Sequence, residues 1–317
     1  MYFKNLIPTY TKQPKQQYNY RFTVFTPVFN CEKSIKKVHD SLINQTFEDF
    51  EWLIINDGST DKSHEVISEI IKDSSLNIRY VNNIENRHKM SCFFQSINLA
   101  EGEFLLTFDG DDQCVPRALE VYNRTYEETP DNLKPRVGAV TALCKDQYGN
   151  LVGELFPEDP FYCDTVDAWM SKKIVGEKWG FTRTDILKGI RVNPEMLNIK
   201  FVPEGIVWNL VAKSGYLTKC INEVLRIYNI GVEGSISNTP MSPKHATGII
   251  LNCIAECNWF FKKYALKHPI LFLKRIYIIL RTSKHLKHPL RTYLKSIDST
   301  VLKTILTVCW PIRSLLR

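Results

Sequence analysis

The turn Asp109-Gly110-Asp111-Asp112 sets carboxylates two residues apart directly after an apolar run, Phe104–Phe108. On a tight turn such side chains can converge on one divalent cation. A hard ion, Mg2+ or Mn2+, would complete its shell with water and phosphate oxygens. An EF-hand needs further acids and a late glutamate, which Cys114-Val115-Pro116 does not supply. The plainer alternative is a solvated acidic turn capping the next helix, with Asp112 near the N-cap. A second polar cluster, Asp57-Gly58-Ser59-Thr60-Asp61, follows the apolar Trp52–Asn56. Either it is only a turn into a helix, with Gly58 at positive φ and Ser59 or Asp61 as cap, or Asp57 accepts hydrogen bonds from a nucleotide base or ribose. Neither G-x-G-x-x-G nor G-x-x-x-x-G-K-[ST] occurs, so no glycine cradle holds a phosphate. A diphosphate would then need a metal and a lysine. Lys89, ahead of a helix expected to start near Ser91, is the candidate; its alternative is a solvated surface role.

Regular elements must carry these clusters. Arg21–Phe29 reads as a buried strand ending near Pro27, and Asn30 offers an N-cap to a helix with Ile35, Val38, Leu42 and Ile43 on one face. Trp52–Asn56, Ile78–Val81 and Phe104–Phe108 read as further strands. Helical faces Val66/Ile67/Ile70/Ile71 and Phe93/Phe94/Ile97/Ala100 lie between them, and Pro116 suits the first turn of the next helix. Four strand–helix alternations predict βαβ units in an open, mostly parallel, doubly wound α/β sheet. Ligands bind such sheets beyond the carboxyl ends of the strands, where Thr26-Pro27, Asn56-Asp57-Gly58 and the Asp109 turn all fall. A hairpin around Tyr148-Gly149-Asn150 is expected to cover the sheet. Segments 164–190 and 205–214 read as helices, and Cys220–Tyr228 as a late strand. No internal repeat is found.

With 317 residues, 44% hydrophobic and 24% charged, the chain is neither fibrous nor wholly disordered and can bury a sizeable core. Nine scattered cysteines without C-x-x-C spacing argue against a zinc ribbon or disulfide framework and for a reducing compartment. The polar first twenty residues contain no signal-peptide core, and no run of 18 uncharged apolar residues would span a membrane. The net charge of +7 is uneven. Residues 244–317 hold 14 Lys+Arg and two acids, a balance of +12, which leaves −5 for residues 1–243. Four regions are expected: an N-terminal extension (1–20), an α/β body (21–230), a linker (231–245) rich in Gly, Ser, Asn and Pro, and a tail (246–317) of basic amphipathic helices interrupted at Pro269, Pro289 and Pro311.

Taken together, TVFTPVFN at 23–30, SLINQTFEDFEWLIINDGSTD at 41–61, AEGEFLLTFDGDD at 100–112 and PRALE at 116–120 resemble the nucleotide-sugar half of glycosyltransferase family 2 over roughly 21–230. The resemblance implies the GT-A fold, a nucleoside-diphosphate sugar donor, uridine by default, and inversion at the anomeric carbon. It implies that Thr26, Val28 and Asp57 lie against base and ribose. Asp109 and Asp111 would form a DXD motif holding ribose and Mn2+ or Mg2+, with Gly110 among the donor-binding residues. The family's catalytic base sits in an acidic motif before a tryptophan-bearing helix. Here Phe201-Val202-Pro203-Glu204-Gly205-Ile206-Val207-Trp208 matches it, which makes Glu204 the candidate, with one carboxylate where Glu-Asp is commoner. Asn86-Arg87-His88-Lys89-Met90-Ser91 lacks the glycine many members have, which gives Lys89 more of the diphosphate. Arg183, after Trp179 and Phe181, would contact donor or acceptor, or be structural.

The expected acceptor is a hydroxyl of a glycan or lipid-linked molecule in cell-surface polysaccharide synthesis. The tail is expected to hold the protein on an anionic membrane surface, peripheral on the inner face of the cytoplasmic membrane. Its alternative is packing on the body or on a second subunit. Two rival functions are a metal-dependent nucleotidyltransferase, for which the basic glycine-rich loop after the first strand is missing, and a non-catalytic membrane-surface binding protein. Nucleic acid is disfavoured by the acidic body.

Overall fold

The computed structural model describes residues 2–14, 16–170, 172, 174–231 and 242–316. The chain divides into two compact units. One comprises Lys12–Gly189 and Gly215–Asn238, the other Met1–Thr11, Ile190–Ser214 and Thr239–Arg317.

The first unit is built on a nine-stranded sheet. Its path runs Ile78–Asn83, Phe50–Asp57, Tyr20–Val28, Gly102–Thr107, Lys178–Arg183, Val137–Asp146, Leu217–Tyr228 and Gln113–Cys114, with Phe161–Cys163 paired beside Leu217–Tyr228. The first four strands are parallel neighbours. All eight residues of Phe50–Asp57 are buried, as a parallel strand covered on both faces requires. Helices Ile35–Ile43, Ser63–Asp73 and Lys89–Leu99 connect them. The rest of the sheet is mixed, because Lys178–Arg183 enters antiparallel to both its neighbours. That strand lies inside the 164–190 segment expected to be helical. Trp179 and Phe181 alternate into the core, and Gly180 brings the backbones together: a Cβ there would sit 1.9 Å from the Val140 carbonyl oxygen. Among the described residues of that segment, only Thr165–Met170 and Thr184–Leu187 are helical.

The expected hairpin reduces to one bridge, Lys145 to Leu151. Val137–Asp146 is a buried interior strand rather than a cover. The first helix starts at Ile35 after Ser34, so Asn30 is not its cap; Asn30 takes a left-handed φ of 56°. Ile43 and Ile71 turn outward while Ile35, Val38, Leu42, Ile67 and Ile70 are buried. Pro116 precedes the helix Ala118–Glu127 rather than sitting in its first turn.

Among its described residues, the regular structure of the second unit is helical apart from one short antiparallel pair, Thr9–Tyr10 with Ile190–Arg191. Its helices are Pro194–Leu197, Gly205–Lys213, Ala246–Tyr264, Pro269–Ser283, Leu290–Ser296 and Thr300–Cys309. Pro269 occupies the first turn of its helix, where the missing N–H costs nothing. The buried Glu256 ties the unit together by accepting hydrogen bonds from Asn209, Asn252 and Arg275. Gly248 lies so close to Phe201 that a Cβ would meet its carbonyl oxygen at 1.8 Å. Ile190–Ser214 thus packs with the C-terminal helices, whereas its place in the sequence put it in the 21–230 domain. Of the expected linker, 232–241 lie outside the described residues.

Candidate functional site

Three loops meet at the carboxyl ends of the parallel strands. The backbone N–H of Asn30 donates to Ser59 Oγ, and that of Thr60 to Asn30 Oδ1. Cys31 N donates to Ser63 Oγ and Glu32 N to Asp61, which clasps the loop after Tyr20–Val28 to the loop after Phe50–Asp57. Ser34 Oγ then donates to the Gly110 carbonyl at 2.7 Å, so the Asp109 turn joins them. Gly110 is suited to this approach, since a Cβ would fall 2.9 Å from Cys31 Sγ. The polar clusters of three separate strand ends are therefore one surface.

The acidic turn is anchored from behind. Phe108 is fully buried with its ring 5.2 Å from that of Trp179, and Trp179 Nε1 donates to the Thr107 carbonyl at 2.7 Å. Asp109 lies between two cations: its Oδ1 is 2.8 Å from Lys89 Nζ, its Oδ2 2.9 Å from Arg226 Nη2. Burial would raise the Asp109 carboxyl, but the charges of Lys89 and Arg226 outweigh it and hold the group well below the usual range. Asp112 is buried, accepts from Arg226 Nε at 2.7 Å and from the Asn229 backbone N–H at 2.9 Å. Burial nevertheless pushes its pKa up to about 6 against the pull of Arg226. Asp111 is half-buried; burial and then the charge of Asp109 raise it. Among the described residues it forms no ion pair.

This donor set bears on a metal. No group of three His, Cys, Asp or Glu is arranged to hold an ion among the described residues. Both Asp109 oxygens already face cations, so Asp109 is held as a positioned carboxylate rather than an open ligand. Asp111, partly desolvated and raised by a neighbouring negative charge, fits a site completed by water and phosphate oxygens.

Asp57 is buried, and its Oδ1 accepts the Arg87 backbone N–H at 2.7 Å, pinning the 84–88 loop beside the acidic turn. Gly58, at φ 67°, makes room for that loop: a Cβ would lie 2.7 Å from Asn86 N. Lys89 opens the helix Lys89–Leu99 directly, two residues before the expected start. Thr26 and Val28 are at the strand end, but their side chains are committed to the core. Thr26 Oγ1 accepts from Trp52 Nε1 at 2.9 Å, and Val28 is almost wholly buried. Arg183 is not brought to this surface. It pairs across the sheet with Phe104, near the amino end of Gly102–Thr107, and its guanidinium is bound to Asp185 at 2.6 and 3.0 Å. Glu204 belongs to the second unit, at the N-cap of Gly205–Lys213.

Arg226 is the residue that sequence reasoning missed. A signal was present: an arginine set between Leu225 and Ile227 in the expected strand Cys220–Tyr228. A charge inside a buried strand needs a carboxylate partner, and Asp109 and Asp112 provide two.

The sequence profile described as Glycosyl transferase family 2 matches residues 23–139. A teichoic acid poly(glycerol phosphate) polymerase of Staphylococcus epidermidis is 29% identical over 36% of this chain and 16% of its own length. An uncharacterized glycosyltransferase of Methanocaldococcus jannaschii is 23% identical over 63% of this chain and 67% of its own. The chain thus spans between 10% and 67% of the length of the curated relatives it matches. Staphylococcus aureus TarS residues 1–349, solved in complex with UDP-GlcNAc, superposes with a TM-score of 0.62 over 92% of this chain and 89% of that one, at 16% identity. At that identity the likeness speaks for the fold, which is GT-A. Over residues 23–139, carried on this sheet, the chain is similar to glycosyltransferase family 2.

Proposed function

We propose that the chain is an inverting glycosyltransferase that moves a sugar from a nucleoside-diphosphate sugar to an acceptor hydroxyl, on a glycan or a lipid-linked molecule, in cell-surface polysaccharide synthesis. The observation that carries this is the convergence of Asp57, Lys89 and the Asp109–Asp112 turn at the carboxyl ends of parallel strands. The reading assigns Asp57 and the adjoining backbone at Thr26 and Val28 to the nucleoside, and Asp109 to the ribose. A divalent cation, Mn2+ or Mg2+, would be held by Asp111 and would neutralise diphosphate charge. A uridine nucleotide is the proposed donor base. TarS was solved with UDP-GlcNAc and UDP, and the chain's relatives include teichoic acid enzymes.

Sugar–phosphate cleavage passes through an oxocarbenium-like state, and negative charge grows on the departing diphosphate. Lys89 supplies fixed positive charge beside Asp109, where that charge develops. Glu204, proposed as base from its match to the family's acidic motif, would take the proton of the attacking hydroxyl. One displacement gives one inversion, with no covalent intermediate. The test is a panel of nucleotide sugars read by released nucleoside diphosphate, with Mn2+ or Mg2+ and with chelator. Release from one donor class is expected. No release from any donor under any metal condition refutes the reading.

A further inference from the structure

We propose that the Pro269–Ser283 helix docks its exposed face in the interface of an anionic lipid bilayer. Ile270, Leu273 and Tyr277 are 66%, 47% and 43% exposed, although the rest of the helix buries Phe272, Ile276, Ile279 and Leu280. At 3.6 residues per turn, these three share an arc of about 100° with Lys274 and Arg281, both exposed. Leu266, in the turn just before the helix, is fully exposed and flanked by exposed Lys263 and Lys267.

Charge complementarity identifies the occupant. Residues 242–316 carry ten exposed Lys and Arg. Of their two acids, Glu256 is buried against Arg275, and the exposed Asp298 is paired with Lys4. A soluble polyanion would satisfy the cations but leave the apolar stripe in water. A bilayer interface takes both, because side chains sink 5–10 Å into the headgroup boundary while lysines and arginines stay with anionic headgroups. No helix among the described residues is long and apolar enough to cross a membrane. The reading is therefore of a helix lying in the interface, and it is independent of the chemistry proposed above.

The experiment is flotation of the full chain with phosphatidylglycerol/phosphatidylcholine vesicles and with phosphatidylcholine alone, at about 0.1 and 1 M salt, since the Debye length falls from about 10 to 3 Å. Binding is expected on the anionic vesicles only, weakened at high salt. Lys274→Ser with Arg281→Ser should weaken it roughly 30-fold, about fivefold for each charge. Ile270→Ser with Leu273→Ser should weaken it at least about tenfold. All four side chains are exposed, so circular dichroism and donor hydrolysis should be unchanged. Three results overturn the proposal. The chain could ignore anionic vesicles at low salt. The apolar double variant could bind them as well as the parent, with soluble polyphosphate competing fully, which would mark a polyanion site. Or light scattering could show self-association that the apolar double variant abolishes without any vesicle binding, which would mark a second copy of the chain.

Discussion

Replacing Arg226 by methionine would remove a guanidinium that is 4% exposed, that meets the more exposed Glu177 at 3.4 Å and that neutralises two more deeply set carboxylates, Asp109 and Asp112. The two are not left alike. Asp109 keeps Lys89 at 2.8 Å, while Asp112, 1% exposed, keeps only the backbone N–H of Asn229. Breaking a buried pair from one side costs about 3–5 kcal/mol, because the remaining charge is stranded. At about 2–4 °C per kcal/mol for a unit of this size, the melting temperature should fall by roughly 6–20 °C. The pH dependence separates this cause from simple loss of packing. Asp112 already titrates near 6 because of its burial, with Arg226 opposing the rise; without Arg226 it titrates higher still. A carboxyl raised above its unfolded value contributes stability that is full at low pH and lost as pH rises through the folded value. The variant's deficit should therefore be largest near pH 7.5 and shrink towards pH 5.5, as Asp112 takes up a proton in the folded state. The assay is urea denaturation of parent and variant at both pH values in EDTA, so that no cation substitutes for the guanidinium. A deficit under about 1 kcal/mol, or an equal one at both pH values, would refute the reasoning.

Asp111→Asn should abolish donor turnover while the melting temperature stays within a few degrees; full activity of this variant at limiting metal would sink its role at the diphosphate. Glu204→Gln should lower kcat sharply and leave donor affinity nearly unchanged, since a base acts in the transition state; weak donor binding with normal turnover would point to structure instead. Thr26→Val should cost about 1–3 kcal/mol by stranding the buried indole N–H of Trp52 and leave the KM for donor unmoved, whereas a raised KM without destabilisation would mean that its hydroxyl reaches the ligand. Gly180→Ala should destabilise by about 3 kcal/mol or more, because the backbone carbonyl of Val140 cannot yield as a side chain would; a calorimetric melt within 2 °C of the parent would contradict that.

Several parts of the fold were legible because their information is local. Continuous apolar runs such as Trp52–Asn56 mark strands buried on both faces, and Gly58 and Gly110 mark turns that a Cβ would obstruct. The strand at Lys178–Arg183 was not legible. Six residues with Trp179 and Phe181 alternating are too few to outweigh the helical neighbours, and the strand exists because Gly180 admits the Val140 backbone. The same holds for Ile190–Ser214, whose unit depends on Gly248 against Phe201 and Asn209 against Glu256, contacts tens of residues apart.

Local sequence alone carries the four parallel strands and the helices between them, the three polar clusters at their ends, and the imbalance between an acidic body and a basic tail. Spacing and composition encode these without reference to any distant residue. Only the tertiary structure decided which clusters share a surface and how their charges are balanced. Arg226 reaches Asp109 and Asp112 across more than a hundred residues of chain, and Arg183, as plausible in one dimension, is held by Asp185 towards the other end of the sheet. The physical reason is that a carboxylate's state depends on burial and on the charges within a few ångströms, and both are properties of packing.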